Sequence, residues 1–318
     1  MENCELVYKN QEIGVEMNEK YKGVIPAFYA CYDKDENISA SKVKEFTKHL
    51  INKGVQGLYV CGSSGECIYQ NVQERKTLLE AVMEEAKGKI TIIAHVACNN
   101  TKDSIELAKH AESLGVDAIA AIPPIYFKLP ESAIAAYWNA ISQAAPNTDF
   151  IIYNIPQLAG VSLTMPLLEE MLKNKKVIGV KNSSMPVQDI QMFKERGGKD
   201  FIVFNGPDEQ FAAGLMMGAC GGIGGTYALM PELYLAIYKA FEEHDNAKAL
   251  LLQNHACSII YKVCEAKGNL YATMKEIIKR REGLDMGSVR LPLAAYTAQD
   301  DKVVTEAIEL INNAIREI

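Results

Sequence analysis

Short apolar, β-branched stretches recur along the chain, each closing on a polar or glycine-containing turn. They occupy 24–29, 57–61, 90–94, 118–122, 150–153, 177–180 and 201–204, with a weaker eighth at 221–223 inside a glycine cluster. Unbroken apolar runs suit strands buried on both faces, as parallel sheets require. Between them the pattern changes to helical spacing. The segment 39–52 opens on a serine suited to capping and carries Val43, Phe46, Leu50 and Ile51 on one face. Segments 72–86, 102–114, 131–144, 165–173 and 187–195 fill further gaps, and Gly54 and Gly115 stand where helix C-caps belong.

Strand and helix thus alternate about eight times, the pattern of a (β/α)8 barrel. A doubly wound sheet is the rival fold, but neither G-x-G-x-x-G nor G-x-x-x-x-G-K-[ST] follows any strand. From about Pro231 the chain reads as helices only, at 233–242, 247–265, 274–281 and 303–317. The expected organisation is an arm of unassigned role over 1–20, a (β/α)8 TIM barrel over 21–242 and a C-terminal helical extension over 243–318.

Composition narrows the partners. The 318 residues carry 33 Lys and Arg against 40 Asp and Glu, a formal charge of -7. That balance lacks the footprint of a nucleic-acid binder and suits an anionic membrane surface no better. A small anionic substrate is still permitted, because one pocket can be locally positive on an acidic protein. The eight cysteines form no C-x-x-C pair, so reduced thiols are expected rather than a disulfide scaffold or a zinc site. No signal peptide is visible behind Met1-Glu2-Asn3-Cys4-Glu5 and no apolar run reaches bilayer length, which makes the cytoplasm the expected compartment.

In a barrel, reactive groups sit at the C-terminal ends of the strands. Lys181 follows the sixth apolar run, so its stem should rise from the barrel interior. Desolvation disfavours an ammonium ion and would make this amine nucleophilic near neutral pH, able to form a Schiff base with a ketone. Position alone leaves a second reading open: a strand-end lysine that snorkels to water or pairs with a carboxylate. Tyr153 ends the neighbouring strand and could shuttle a proton or simply pack. Gly62-Ser63-Ser64-Gly65 offers hydroxyls and N–H groups on a tight turn, either a carboxylate cradle or an ordinary Gly/Ser turn. Asp208 and Glu209 could clamp a substrate, exchange protons or ligate a metal, though no histidine stands beside them. The glycines from Gly218 to Gly225 permit either ligand approach or tight strand packing. His95 ends a strand, where a core role is expected of it.

Taken in order, G-S-S-G-E, Y-N-I-P, G-V-K-N-S, N-G-P-D-E and G-G-I-G-G-T-Y resemble the pyruvate-dependent class I aldolases of the dihydrodipicolinate synthase and N-acetylneuraminate lyase superfamily. The resemblance runs from about Gly23 onward and includes Arg290-Leu291-Pro292-Leu293. It implies that Lys181 is the Schiff-base lysine and Tyr153 the proton-shuttling tyrosine, with Ser63 and Ser64 holding the pyruvyl carboxylate and relaying to that tyrosine. Tyr126 matches a tyrosine that reaches into the adjacent subunit's site in relatives, which implies a homo-oligomer, usually a tetramer.

Synthases of the superfamily carry an arginine after Y-N-x-P, where this chain has Gln157-Leu158-Ala159-Gly160. Sialic acid lyases instead carry G-x-D-E, matched by Gly206-Pro207-Asp208-Glu209, for the hydroxyls of a sugar tail. The substrate-binding set implied is Ser63, Ser64, Ser183, Gly206, Asp208, Glu209, Gly224 and Gly225. Two positions depart from the lyase pattern: Ser183 stands where threonine is usual, and Gly225 where a serine often contacts the sugar. The implied reaction is reversible cleavage of N-acetylneuraminate to N-acetylmannosamine and pyruvate, with no metal or organic cofactor. An aldolase for another 2-keto-3-deoxy sugar acid, or a condensing enzyme of the dihydrodipicolinate synthase type, is the alternative.

Overall fold

The computed structural model describes residues 19–318, so most of the arm expected over 1–20 lies outside the described residues. Eight strands follow the apolar runs: β1 Gly23–Pro26, β2 Gly57–Val60, β3 Thr91–His95, β4 Ala118–Ala121, β5 Asp149–Asn154, β6 Val177–Asn182, β7 Ile202–Asn205 and β8 Gly221–Gly224. Each pairs in parallel with its chain neighbour from β2 through β8, and β8 pairs with β1. The ring closes between β1 and β2, where Ala27 bridges Tyr59 and the Phe28 N–H donates to the Tyr59 carbonyl at 2.9 Å. This is the TIM barrel that the alternation predicts.

Helices separate the strands: α1 Ala40–Asn52, α2 Val72–Ala86, α3 Thr101–Leu114, α4 Glu131–Ala144, α5 Pro156–Ala159, α6 Met165–Met171, α7 Gln188–Gly197, α8 Phe211–Met216 and α9 Pro231–Glu242. Then come α10 Asn246–Val263, α11 Leu270–Glu282 and α12 Asp301–Arg316. The short helices α5 and α8 escape the periodicity, because four and six residues span too few turns to show a stripe. Ser39 does sit at the N-cap of α1, but its hydroxyl makes no capping bond and lies 3.2 Å from Ser41 Oγ. Asn71 caps α2 instead in full, accepting from the Glu74 N–H while the Glu74 carboxylate accepts from the Asn71 N–H. Gly115 closes α3 in the left-handed region, as expected, and Gly54 follows the last turn of α1 at φ +86°.

Strand alternation divides the core in two. Ile25, Tyr59, Ile93, Ala120, Ile151, Tyr153, Ile202, Phe204 and Ile223 fill the barrel interior. Their neighbours along the strands, such as Leu58, Val60, Ile119, Ile152 and Val203, face the helices. The glycines of β8 are explained chiefly by packing. A Cβ on Gly221 would stand 2.1 Å from the Gly23 carbonyl oxygen, and one on Gly222 would meet the rings of Phe211 and Tyr227. Close strand and ring approach, rather than ligand access, requires glycine at both positions.

The extension is fastened to the barrel by a buried ion pair. Lys275 of α11 meets Glu66, just after β2, at 2.9 Å, with their side chains 2% and 0% exposed. Each group also has a second partner. Lys275 Nζ donates to the Ser288 carbonyl at 2.8 Å, and Glu66 Oε2 accepts from the Arg290 N–H at 2.9 Å. Arg290 itself pairs with Glu74 and lies over the Tyr32 ring, so the Arg-Leu-Pro-Leu segment is held against the barrel mouth. Removing one partner of a buried pair leaves an uncompensated charge, whereas removing both does not. Lys275→Met is therefore expected to lower unfolding stability by about 3–5 kcal/mol, and the double variant Glu66→Gln/Lys275→Met to recover most of that loss. Urea unfolding checks this; equal losses in the single and double variants would contradict it.

Candidate active site

The C-terminal ends of β5, β6 and β7 stand in register, with Tyr153 opposite Lys181 and Lys181 opposite Phe204. Alternation turns these three inward and sends Asn154, Asn182 and Asn205 outward. The asparagines hold the loops that follow. Asn154 donates to the Asn182 side-chain oxygen at 2.8 Å and accepts from the Leu163 N–H at 2.9 Å, while Asn205 donates to the Pro207 carbonyl at 2.8 Å. The sequence motifs contained these asparagines without indicating this task.

Lys181 is 4% exposed, and burial pushes its amine down from the ordinary 10.5 to about 7. The Asp208 carboxylate pulls in the opposite direction, favouring the ammonium form, but it is the smaller influence. The amine lies over two aromatic faces, 3.9 Å from the centroid of Tyr153 and 4.2 Å from that of Tyr59. The snorkelling alternative does not hold, since the stem stays within the barrel mouth.

Tyr153 is also buried, which pushes its phenol up to about 12, while the Ser63 and Ser183 hydroxyls beside it pull the other way. It is therefore a phenol at neutral pH, able to accept a proton only as it passes one on. Ser63 and Ser64 belong to the turn Ser63–Gly65, in which the N–H groups of Gly65 and Glu66 fold back to the carbonyls of Gly62 and Ser63. Gly62 is required by close approach: a Cβ there would come 2.6 Å from the Tyr59 ring. The Ser64 hydroxyl donates to the Tyr271 hydroxyl at 3.1 Å.

Asp208 accepts from both the N–H and the hydroxyl of Thr226, each at 2.6 Å, yet burial still raises its carboxyl to about 6. It is ionised at neutral pH and fixed in orientation. Glu209 beside it is exposed. Gly206 packs on Ser183, where a Cβ would stand 2.0 Å from the serine hydroxyl.

These groups surround one cavity of about 300 Å³. Ser63, Ser64, Tyr153, Lys181, Ser183, Gly206, Asp208, Glu209 and Gly225 all line it. Two expected residues do not. Gly224 lies beneath the wall, where a Cβ would stand 2.2 Å from Asp208, so its place is support of that carboxylate. Tyr126, which the resemblance assigns to an adjacent subunit's site, is 90% exposed and does not line the cavity of its own chain. It forms an edge-to-face pair with Phe127 on the loop after β4, and its backbone is left-handed at φ +87°.

The sequence reading missed Tyr59 and Tyr271. Inward alternation within β2 was a usable signal for Tyr59. Tyr271 carried none, because α11 reaches the site only through tertiary packing, with Ile260, Cys264 and Leu270 forming the same wall. His95 is a core residue as expected. Its Nδ1 lies 3.0 Å from the Cys61 carbonyl, and burial together with Arg75 holds it neutral. Seven cysteines within the described residues are free. No group of three His, Cys, Asp or Glu side chains suited to a metal occurs among the described residues.

Chemically, the cavity offers an amine that titrates near neutrality, a phenol beside it, a pair of hydroxyls on a turn and a hydrogen-bonded carboxylate. The model of the dihydrodipicolinate synthetase family matches residues 20–311. An N-acetylneuraminate lyase of Mediterraneibacter gnavus is 64% identical over 296 residues, covering 93% of this chain and 94% of that one. The wild-type sialic acid aldolase of Ruminococcus gnavus superposes with a TM-score of 0.93 at 63% identity, covering 94% of this chain and 99% of the other. That aldolase has also been solved as a catalytic lysine mutant. A Clostridium difficile protein solved in complex with mannosamine superposes at 0.86 with 29% identity, over 92% of this chain and 99% of its own.

The amine's surroundings set its titration. Acylation of Lys181, followed by mass spectrometry across pH, should be half-maximal near pH 7. Asp208→Asn should move that midpoint lower, because the lost carboxylate favoured the ammonium form. A midpoint near 10, or an upward move in the variant, would contradict this picture.

Proposed function

The chain belongs to the dihydrodipicolinate synthetase family, and on that premise we propose that it cleaves N-acetylneuraminate reversibly to N-acetylmannosamine and pyruvate through a Schiff base on Lys181. It is a carbon–carbon lyase of the class I aldolase type. The observation that carries the mechanism is the buried amine of Lys181, pushed down to about 7, with its nitrogen 3.9 Å from the centroid of the Tyr153 ring.

The unprotonated amine attacks the C2 ketone of the open-chain sugar acid and expels water, leaving a protonated imine. Tyr153 then takes the proton of the C4 hydroxyl as it releases its own toward the Ser63 hydroxyl and the substrate carboxylate. The C3–C4 bond breaks, the aldehyde of N-acetylmannosamine departs, and the bonding pair enters the imine to give an enamine. Protonation at C3 and hydrolysis return pyruvate and the free amine. The lysine itself serves as the electron sink.

Ser63 and Ser64 hold the substrate carboxylate with their hydroxyls and the N–H groups at the head of the turn. Asp208 and Glu209 receive the hydroxyls of the sugar tail, on the wall they share with Gly206 and Gly225. Gln157 and Leu158 line the cavity where a synthase would present an arginine, so this wall holds no cation for a second carboxylate. That favours a sugar acceptor over an amino-acid semialdehyde.

The same reading extends to assembly. Tyr126 and Phe127 are 90% and 72% exposed, and two adjacent bare aromatic rings suit burial against a second subunit. A homotetramer in which Tyr126 approaches a neighbour's site, acting in the cytoplasm, completes the proposal. No helix of the described residues is long and apolar enough to cross a membrane.

The test is borohydride reduction in the presence of pyruvate, together with synthesis from pyruvate and N-acetylmannosamine. The expected result is a reduced pyruvyl adduct on Lys181 that is lost in Lys181→Ala, and formation of N-acetylneuraminate. Tyr153→Phe should lower turnover about 10²- to 10⁴-fold, the range for losing a positioned proton-transfer group. No adduct would overturn the Schiff base; turnover of shorter sugar acids by orders of magnitude over N-acetylneuraminate would overturn the substrate.

A further inference from the structure

The Tyr59 ring is completely buried in the barrel, yet its hydroxyl finds no hydrogen-bond partner among the described residues. A buried tyrosine normally satisfies its O–H, so the phenol oxygen does not explain why this ring is here. The ring face does have a partner. Lys181 Nζ lies 4.2 Å from its centroid, well inside cation–π range, while Tyr153 offers a second face at 3.9 Å.

The ring is held in that attitude on all sides. It meets Tyr153 edge-on at 5.7 Å and 79°, and it lies 6.1 Å from the His95 ring. Above it the chain must be glycine at Gly62, because any Cβ would overlap the ring edge. The turn that carries Ser63 and Ser64 is thus shaped to let an aromatic ring lie beside the amine.

We propose that Tyr59 is a further catalytic residue, whose ring face joins that of Tyr153 in an aromatic clamp on the positive charge that Lys181 Nζ carries as an iminium ion. This rests on the Schiff-base reading above and assigns its charged intermediate a partner. The iminium forms on a nitrogen that is buried and poorly solvated, and a carboxylate in contact with it would weaken the electron sink that C3–C4 cleavage requires. A ring quadrupole stabilises the cation without neutralising it. Asp208, from the loop after β7, is the acidic group that influences this nitrogen, with the Cys67 thiol beyond β2 a lesser influence. His95 of β3 is neutral, and Tyr153 of β5 is a phenol, so the two rings are the near neighbours that respond to a cation.

The consequence has an unusual sign. Replacing the ring by an aliphatic side chain removes stabilisation from the ammonium and the iminium alike. The acid limb of kcat/KM, which reports the free amine, should move to lower pH. Simple loosening of the site would admit water and move that limb to higher pH.

The experiment compares Tyr59→Leu and Tyr59→Phe by pH profile and by borohydride trapping with pyruvate. Tyr59→Leu is expected to lower the acid limb by about half a unit to one unit and plateau turnover about tenfold, while Tyr59→Phe keeps both near wild type. Ring-fluorinated phenylalanines at position 59 keep the shape of Tyr59→Phe while weakening the quadrupole. They should lower turnover stepwise, and they carry the test if Tyr59→Leu does not fold. An acid limb that stays or rises in Tyr59→Leu, equal losses in Tyr59→Phe and Tyr59→Leu, or no response to fluorination would overturn the clamp. Those results would leave the Schiff base standing if the wild-type protein still traps pyruvate. Absence of that adduct in the wild type would instead remove the Schiff base itself.

Discussion

Withdrawing an ammonium group from water is so unfavourable that chains seldom do it without an opposing charge in contact. This protein withdraws the Lys181 amine almost completely and surrounds it chiefly with aromatic faces and strand ends. Burial is the largest influence on its titration, and the Asp208 carboxylate restores only part of what burial takes away. The rest of the site can be read as the means of tolerating that burial. The inward alternation of β5 and β6 sets the amine beside a phenol, the outward asparagines hold the loops, and the Thr226 hydrogen bonds keep Asp208 ionised and still.

Asp208 and Tyr153, the carboxyl and the phenol that line the cavity with Lys181, end in different states at neutral pH. Burial raises both, yet Asp208 at about 6 remains an anion at neutral pH whereas Tyr153 at about 12 remains a proton donor. The cavity therefore presents both an anion that accepts hydrogen bonds and a phenol that can donate one. Environments that separate the titration of neighbouring groups are how one cavity supports both roles.

Much of the barrel was legible in the chain because its strands are buried on both faces and read as unbroken apolar runs. The chemistry at strand ends was legible for a related reason: Tyr153 closes one such run, Lys181 directly follows another and Asp208 stands on the loop after a third, which places all three at the mouth of the barrel. What was not legible depends on contacts remote in sequence. Nothing around Tyr271 predicts that its hydroxyl would meet Ser64, and Gly224 looks no different from Gly225 until Asp208 is seen packed against it. Ser39 shows the converse limit, since a suitable residue at a helix start does not guarantee the capping bond. Tyr126 matched a family position, but its exposed ring finds no place in the cavity of its own chain.

The Glu66–Lys275 pair ties the attachment of the extension to the enclosure of the cavity. Glu66 immediately follows the Ser63–Gly65 turn, and Lys275 lies on the same helix as Tyr271, which closes the cavity beside that turn. One helix therefore anchors the C-terminal segment and supplies a wall around the Lys181 amine, so that the docking of this helix and the dryness of the cavity are a single structural event.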